Sequence, residues 1–469
     1  MPSRQDNRIV EENRHEGALN WQLTHWQVGE GDGGRSAAVE GYASRTSVAP
    51  GQSVDLHVST FLPRPVLIEV YRLGYYSGFG GRLMASLGPF ACDKQPVPYP
   101  GTGHLRACTW PVTCRLDIPA DWVSGVYLAK LTAGGPLGPQ SYIIFVVHDG
   151  RSADLLLQCS DLTWQAYNRW PARDSLYDDG TSVPGAGAYF EGLGAWASFD
   201  RPYARYPQCF DAPLSIGSGE FLLWEFPLAY WLEREGYDVT YCSNLDVHAD
   251  PACATRCRVF LSAGHDEYWT AEMFDHVRAA RDQGTSLAFL AGNAVYWRVG
   301  LEANAAGAPH RAMTRLGRFG HEDQLIGARS TGPVIGAGDW TACYGDGEHW
   351  LFDGTGMRAG DSVQGLIGWE FHGDPAAIPG LEVVARGPVR GAMSYEYTAT
   401  LYPAARGNLV FNAATIWWSE GLSCPPGHIP AMANGARTLG PDRRVQRITG
   451  NLLERLIASA APVVSGAPR

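Results

Sequence analysis

CRVFLSAGHDEYWTAEMFDHVRAARDQGTSLAFLAGN, residues 257–293, reads as a buried strand, a helix and a second buried strand. Residues 257–263 and 286–291 are apolar runs too short for a helix of ordinary length. Between them, Met273, Phe274, Val277 and Ala280 fall on one face of a helix over 270–283. Thr270 suits the N-cap, Glu272 the first turn, Arg278 and Arg281 the late turns, and Gly284 the stop. Strand, helix and strand in this order make a βαβ unit with parallel strands. A third apolar run, 154–159, has the same character. Residues that follow parallel strands emerge on one carboxyl edge, where open α/β sheets bind ligands. That edge collects His265 and Glu267 after one strand, Asn293 after another and Tyr167 after the third. An imidazole, a carboxylate, an amide and a phenol gathered from distant sequence point to an active site.

Working outward, the chain of 469 residues is too long for one ordinary core, so two domains are expected. Residues 1–40 read as an irregular arm ending in a Gly-rich stretch. From 41 to 148 the pattern is β: Val54, Leu56 and Val58 alternate with Asp55, His57 and Ser59, and Val66, Ile68 and Val70 repeat it. Short alternating strands separated by Gly and Pro turns read as a β-sandwich of the immunoglobulin-like kind. A polar linker, 148–153, leads into an α/β catalytic domain over 154–469. There a helical face (Phe221, Trp224, Leu228, Trp231, Leu232) is kinked or started late by Pro227, and a strand over 238–242 follows. Residues 408–411 read as a further strand and 445–457 as a closing helix.

Composition narrows the function. The net charge is −11 (37 basic minus 48 acidic residues) with no basic cluster, so nucleic acid is not an expected partner. No apolar run approaches bilayer length, so no membrane partner is expected. The polar N-terminus lacks an apolar signal segment, and the expected location is cytoplasmic, with the ten cysteines mostly reduced. Cys253 and Cys257 have no matching second pair for a zinc site. There is no Gly-x-Ser-x-Gly, and the strand-to-helix turn Gly292-Asn293-Ala294 offers no nucleophile. His321-Glu322-Asp323-Gln324-Leu325 lacks the second His of a zinc protease, and no dinucleotide or phosphate loop follows a strand.

Several stretches carry a resemblance: Gln158–Asn168 (QCSDLTWQAYN), Ser198–Tyr203 (SFDRPY), Glu233–Val239 (EREGYDV), Ser262–Trp269 (SAGHDEYW) and Phe289–Arg298 (FLAGNAVYWR). Together they resemble the catalytic domain of the large subunit of N,N-dimethylformamidase, and residues 41–147 resemble the β-sandwich before it. The resemblance implies a Rossmann-like, glutamine-amidotransferase-like α/β sandwich and an amidohydrolase with one iron held by two tyrosines and a glutamate. Carried over by motif, the ligands fall on Tyr167, Tyr203 and Glu267, and His265 and Asn293 fall beside them, facing substrate. A late acidic residue falls on Glu370 in Ile367-Gly-Trp-Glu370, the candidate general base. Phenolate and carboxylate are hard anionic donors that suit a highly charged cation. Three of them balance Fe(III), which can act as a Lewis acid on an amide carbonyl or a water.

The resemblance also implies a small-molecule amide substrate and a small partner subunit, or else a homo-oligomer. Insertions around 180–194 and 303–318 leave the entrance, and so the substrate, open. Two other readings stand beside this one: the same fold using its metal for oxidation or cyclisation of a natural product, and a non-catalytic binding protein.

Overall fold

The computed structural model describes residues 7–28, 34–177, 194–206, 213–332, 336–391, 394–430, 432–433, 436–437 and 440–462. The β-rich first part forms two sheets. One holds Val39–Ala43, Ser53–Thr60 and Cys114–Asp117; the other holds Ser47–Val48, Gln140–Val147, Gly125–Ala133, Arg64–Leu73 and Gly81–Cys92. Alternation sends Val54, Leu56 and Val58 of one sheet and Val66, Ile68 and Val70 of the other into a shared core. The N-terminal arm, expected to be irregular, carries a short helix, Arg8–Glu12, capped by the Asn7 side chain.

The second part is built on a nine-stranded sheet. Its elements are β1 (Ala153–Cys159), α1 (Asp161–Tyr167), α2 (Phe221–Trp224), α3 (Phe226–Glu235), β2 (Val239–Ser243), β3 (Cys257–Gly264), α4 (Ala271–Gln283) and β4 (Ser286–Ala291). Then come β5 (Gly336–Thr341), β6 (Ser362–Ile367), β7 (Glu382–Gly391), β8 (Ser394–Pro403), β9 (Leu409–Asn412) and α5 (Arg443–Ser459). The order is β2-β1-β3-β4-β9-β8-β7-β5-β6. From β2 to β9 every pairing is parallel; from β9 to β6 every pairing is antiparallel. That antiparallel half departs from the Rossmann-like sheet expected from sequence. The chain is a mixed α/β protein, rich in strands.

Helices cover both faces of the parallel half. Phe260, Leu287 and Phe289 pack with Met273, Phe274, Val277 and Ala280 of α4. Their neighbours Val259, Leu261, Ala288 and Leu290 pack on the other face with Leu228 and Trp231 of α3 and Ile448, Leu452 and Leu456 of α5. Thr270 caps α4 through a bond from Met273 N, and Gly284 ends it at φ +111°. Pro227 lies in the first turn of α3, and Glu225 separates that helix from α2, the break its ring demands.

The two parts share a core, since Val126, Leu128, Ile144 and Val146 pack with Leu155, Leu157 and Trp231. A buried ion pair crosses it. Arg72 of the first part donates to both oxygens of Glu233 on α3, at 2.8 and 3.2 Å. Tyr241 and Asn13 also donate to that carboxylate, each at 2.8 Å. Removing one partner leaves a charge stranded in the apolar core. Glu233→Ala is therefore expected to lower the unfolding free energy by about 3–5 kcal/mol in denaturant titrations; a loss under about 1 kcal/mol would show that the pair does not join the two parts.

Candidate metal centre

β3 ends at Gly264, whose φ of +63° turns the chain sharply, and any side chain there would strike Trp224. The turn delivers His265, Asp266 and Glu267 to the carboxyl edge. Asp266 is held in place as an acceptor from Gln158 (2.7 Å), Ser262 (2.8 Å) and Asn244 (3.2 Å). Its neighbours point the other way. β4 runs into Gly292, where a Cβ would collide with the Glu370 carbonyl, so only glycine lets these two segments meet. Asn293 (φ +52°) and Val295 (φ +56°) follow in left-handed backbone. Asn tolerates that region, whereas a β-branched residue there is strained. The bend is clamped by Val295 N donating to the Asp266 carbonyl (3.0 Å), Tyr296 N donating to the Glu267 carbonyl (2.9 Å) and Ala294 N donating to His372 Nε2 (3.1 Å).

Glu267 is the hub. Its Oε2 accepts from the Tyr167 hydroxyl at 2.7 Å and lies 3.3 Å from the Tyr177 hydroxyl; the two phenol oxygens are 2.8 Å apart. Its Oε1 accepts from Asn293 Nδ2 at 3.2 Å. Tyr268 donates to the Tyr177 hydroxyl at 2.6 Å, and the Arg315 guanidinium lies 4.8 Å over the Tyr177 ring. His265 Nε2 is 3.3 Å from the same Oε2 and 2.8 Å from Glu370 Oε2. Glu220 Oε2 lies 2.8 Å from His265 Nδ1. All of these groups are buried.

Burial sets the protonation. It pushes the Tyr167 hydroxyl well above the ordinary phenol range, and the charge of Glu267 adds to the effect. Glu370 is raised to about 7 by burial, opposed by His265. Glu220 is raised by burial as well. Burial alone would lower His265, but Glu370 and then Glu220 outweigh it and hold the imidazole well above its usual range. Among the described residues His372 has no such neighbour. Burial depresses it to about 4, and it stays neutral, accepting from Ala294 N while Nδ1 faces Asn412 Oδ1 at 2.5 Å.

His265, Glu267 and Glu370 present one ligand atom each within 4.8 Å of one another, and this buried trio can hold a metal ion. Two further features fit a cation. His265 Nε2 and both Glu370 oxygens have no hydrogen bond of good geometry among the described residues, despite their closeness. The Tyr167, Tyr177 and Glu267 oxygens also close a triangle with edges of 2.7, 2.8 and 3.3 Å. Neighbouring oxygens on a cation with bonds of about 2.0–2.1 Å are separated by about 2.9 Å.

Of the residues expected from sequence, Tyr167, Glu267, His265, Asn293 and Glu370 meet here. Tyr167 does so from the last turn of α1 rather than from a loop directly after β1. Tyr203 does not join them. Arg201 ties its loop to the carbonyls of Ser198, Gln165, Asn168 and Trp170. Tyr203 is thereby set edge-on to Trp164, beside Gln165, on the wall of a cavity of about 20 Å³ facing the β-rich part. The second phenol at Glu267 is Tyr177. Tyr206, three residues past Tyr203, also belongs to the cluster, edge-on to Tyr167 with centroids 6.1 Å apart and bonded to Glu220. Neither Tyr177, Tyr206 nor Glu220 sits in a motif that local pattern singles out. Most of the 180–194 insertion lies outside the described residues.

A family model, "N,N-dimethylformamidase beta subunit-like, C-terminal", matches residues 67–434, most of the chain. The chain belongs to this family. No curated protein matches it. Among solved structures, one similar chain comes from "Structural basis of T cell specificity and activation by the bacterial superantigen toxic shock syndrome toxin-1", at 17% identity and TM-score 0.16, covering 23% of this chain and 97% of that one. Another is a Paenibacillus sp. cycloisomaltooligosaccharide glucanotransferase complexed with cycloisomaltoheptaose, at 9% identity and TM-score 0.18, covering 65% of this chain and 61% of that one. Similarities this low carry no argument about fold or chemistry. Within the dimethylformamidase-like family, then, the buried acidic cluster is the feature to explain. Among the described residues no helix is long and apolar enough to cross a membrane, and the nine described cysteines are free.

The neutral His372 clamp has a pH signature. In the unfolded chain an imidazole titrates near ~6.5, so between that pH and about 4 the unfolded state holds the extra proton. Stability from this residue is complete above pH 6.5 and falls as pH drops, by about 3 kcal/mol near pH 4. Unfolding free energies measured across this range should fall less steeply in His372→Gln than in the unmodified protein, and parallel curves would contradict the assignment.

Proposed function

We propose that this protein is an iron-dependent amidohydrolase that cleaves the C–N bond of a small or N-substituted amide. The observation carrying this is the buried triangle of two phenol oxygens and one carboxylate oxygen at the edge of the sheet. In this reading Tyr167, Tyr177 and Glu267 hold the ion, with Tyr177 taking the role first given to Tyr203. When bound, iron supplies Lewis acidity toward a carbonyl oxygen or a water. Hard oxygen donors favour a hard cation such as Fe(III) over softer metals.

The chain's own groups divide the remaining work. Asn293 donates to Glu267 Oε1 and so leaves Oε2 for the phenol side. Glu370, raised to about 7 by burial, is poised as the general base that takes a proton from the attacking water. His265 Nε2, 2.8 Å from Glu370, returns a proton to the departing nitrogen, so that amide and water leave as acid and amine. Water enters as the nucleophile in this scheme, in keeping with the lack of Ser or Cys in the Gly292-Asn293-Ala294 turn. The description "beta subunit-like" supports a small partner subunit as part of the same proposal. So too the division into an immunoglobulin-like unit over 41–148 and an amidotransferase-like unit over 154–469 stays part of it, supported by the facing sheets and the parallel half-sheet.

Elemental analysis of the purified protein should find one iron per chain, with a visible phenolate-to-iron charge-transfer band. Tyr167→Phe and Tyr177→Phe should each weaken the band, Glu267→Ala should lose the iron, and Tyr203→Phe should leave both unchanged. Hydrolysis across a panel of amides should proceed equally with and without oxygen. Absence of iron, or a band that vanishes in Tyr203→Phe and survives in Tyr177→Phe, would contradict the ligand set. A requirement for oxygen would point instead to oxidation.

A further inference from the structure

Glu220 precedes α2, outside every motif quoted above. Its buried Oε2 lies 2.8 Å from Nδ1 of the buried His265. The two nitrogens of an imidazole face opposite ways, and the partner of one determines what the other presents. The contact of Nδ1 with Glu220 Oε2 therefore fixes which way the ring is turned. Nε2 is then aimed at Glu267 (3.3 Å) and Glu370 (2.8 Å). The ring has little freedom otherwise, being set between Tyr167 (4.9 Å) and Trp369 (5.8 Å between ring centroids). Glu220 is itself held by Tyr206, which packs edge-on to Trp224 at 6.2 Å.

We propose that Glu220 is a positioning residue for the reaction: it fixes the orientation of His265, so that Nε2 is the atom facing the reacting centre. The proposal rests on the amidohydrolase reading. Glu225, five residues on, supplies the contrast. It is equally buried but accepts from Trp164 Nε1 (2.7 Å) and the Ser160 backbone (3.3 Å), away from His265. An acid kept merely to satisfy its surroundings should behave like Glu225.

In Glu220→Gln a neutral amide replaces the carboxyl group facing Nδ1 and can flip, so the ring is held less firmly with Nε2 toward the centre. With the intact, iron-loaded protein we expect kcat on its best amide substrate to fall about 10–100-fold, with KM, iron content and the visible band unchanged. Glu225→Gln should leave kcat within about twofold. In a His265→Ala background, Glu220→Gln should cause no further loss; additive losses would overturn the proposal. A second readout needs no activity. In metal-free protein labelled with ¹⁵N-histidine, the His265 Nδ1 proton, identified by its absence in His265→Ala, should move upfield in Glu220→Gln and stay put in Glu225→Gln. An unmoved proton overturns the proposal. Should Glu220→Gln fail to fold, Glu220→Asp, which shortens the reach to Nδ1, takes its place in every arm. If the unmodified protein holds no iron and cleaves no amide, the amidohydrolase reading fails, and the proton shift still reports separately on Glu220.

Discussion

Three buried carboxylates, Glu220, Glu267 and Glu370, converge on a single imidazole. Among the described residues His265 is the cationic partner recorded for all three. Isolated charge is costly in a protein interior, and one imidazolium cannot balance three carboxylates. Either protons or a cation must make up the difference. Protons alone leave the raised Glu370 and the protonated phenols of Tyr167 and Tyr177 without a chemical task. A multiply charged ion bound among them would instead find hard oxygen donors, with His265 and Glu370 beside it to handle protons. The charge deficit is the physical reason that this buried cluster could hold a metal ion.

The rest of the architecture serves to bring those charges together. Parallel strands β1, β3 and β4 open at one edge, and α4 between β3 and β4 keeps them in register. At the ends of two of these strands, Gly264 and Gly292 allow approaches that a single methyl would block. The strained Val295 is held by backbone bonds from the very segment that carries Asp266 and Glu267. Strain kept in place by its surroundings in this way is characteristic of preorganised sites. The ion pair of Arg72 and Glu233 binds the β-rich part to α3, whose entry carries Glu220 and Trp224 nearby.

Much of this was legible in the sequence, for reasons that differ from residue to residue. The βαβ unit was readable because burial on both faces makes strands such as 257–263 continuously apolar, while α4 keeps one apolar face. Strand ends follow directly from that, which is why His265, Glu267 and Asn293 were found. The antiparallel extension from β8 to β6 was not, since its strands are more exposed and broken by bulges. Tyr203 was misplaced for a related reason. The direction of a loop side chain is set by distant anchors, here Arg201 on the carbonyls of α1 and the loop after it. Tyr177 and Glu220 reach the centre through three-dimensional packing alone, so no local spacing could announce them.

The central claim is that a cation sits where the Tyr167, Tyr177 and Glu267 oxygens meet. The most direct test is crystallographic: anomalous difference maps from crystals of the native protein, collected on either side of the iron absorption edge. One dominant peak is expected, present above the edge and lost below it, within bonding distance of those three oxygens. A peak coordinated instead by Tyr203, or ordered density there with no iron signal, would contradict it.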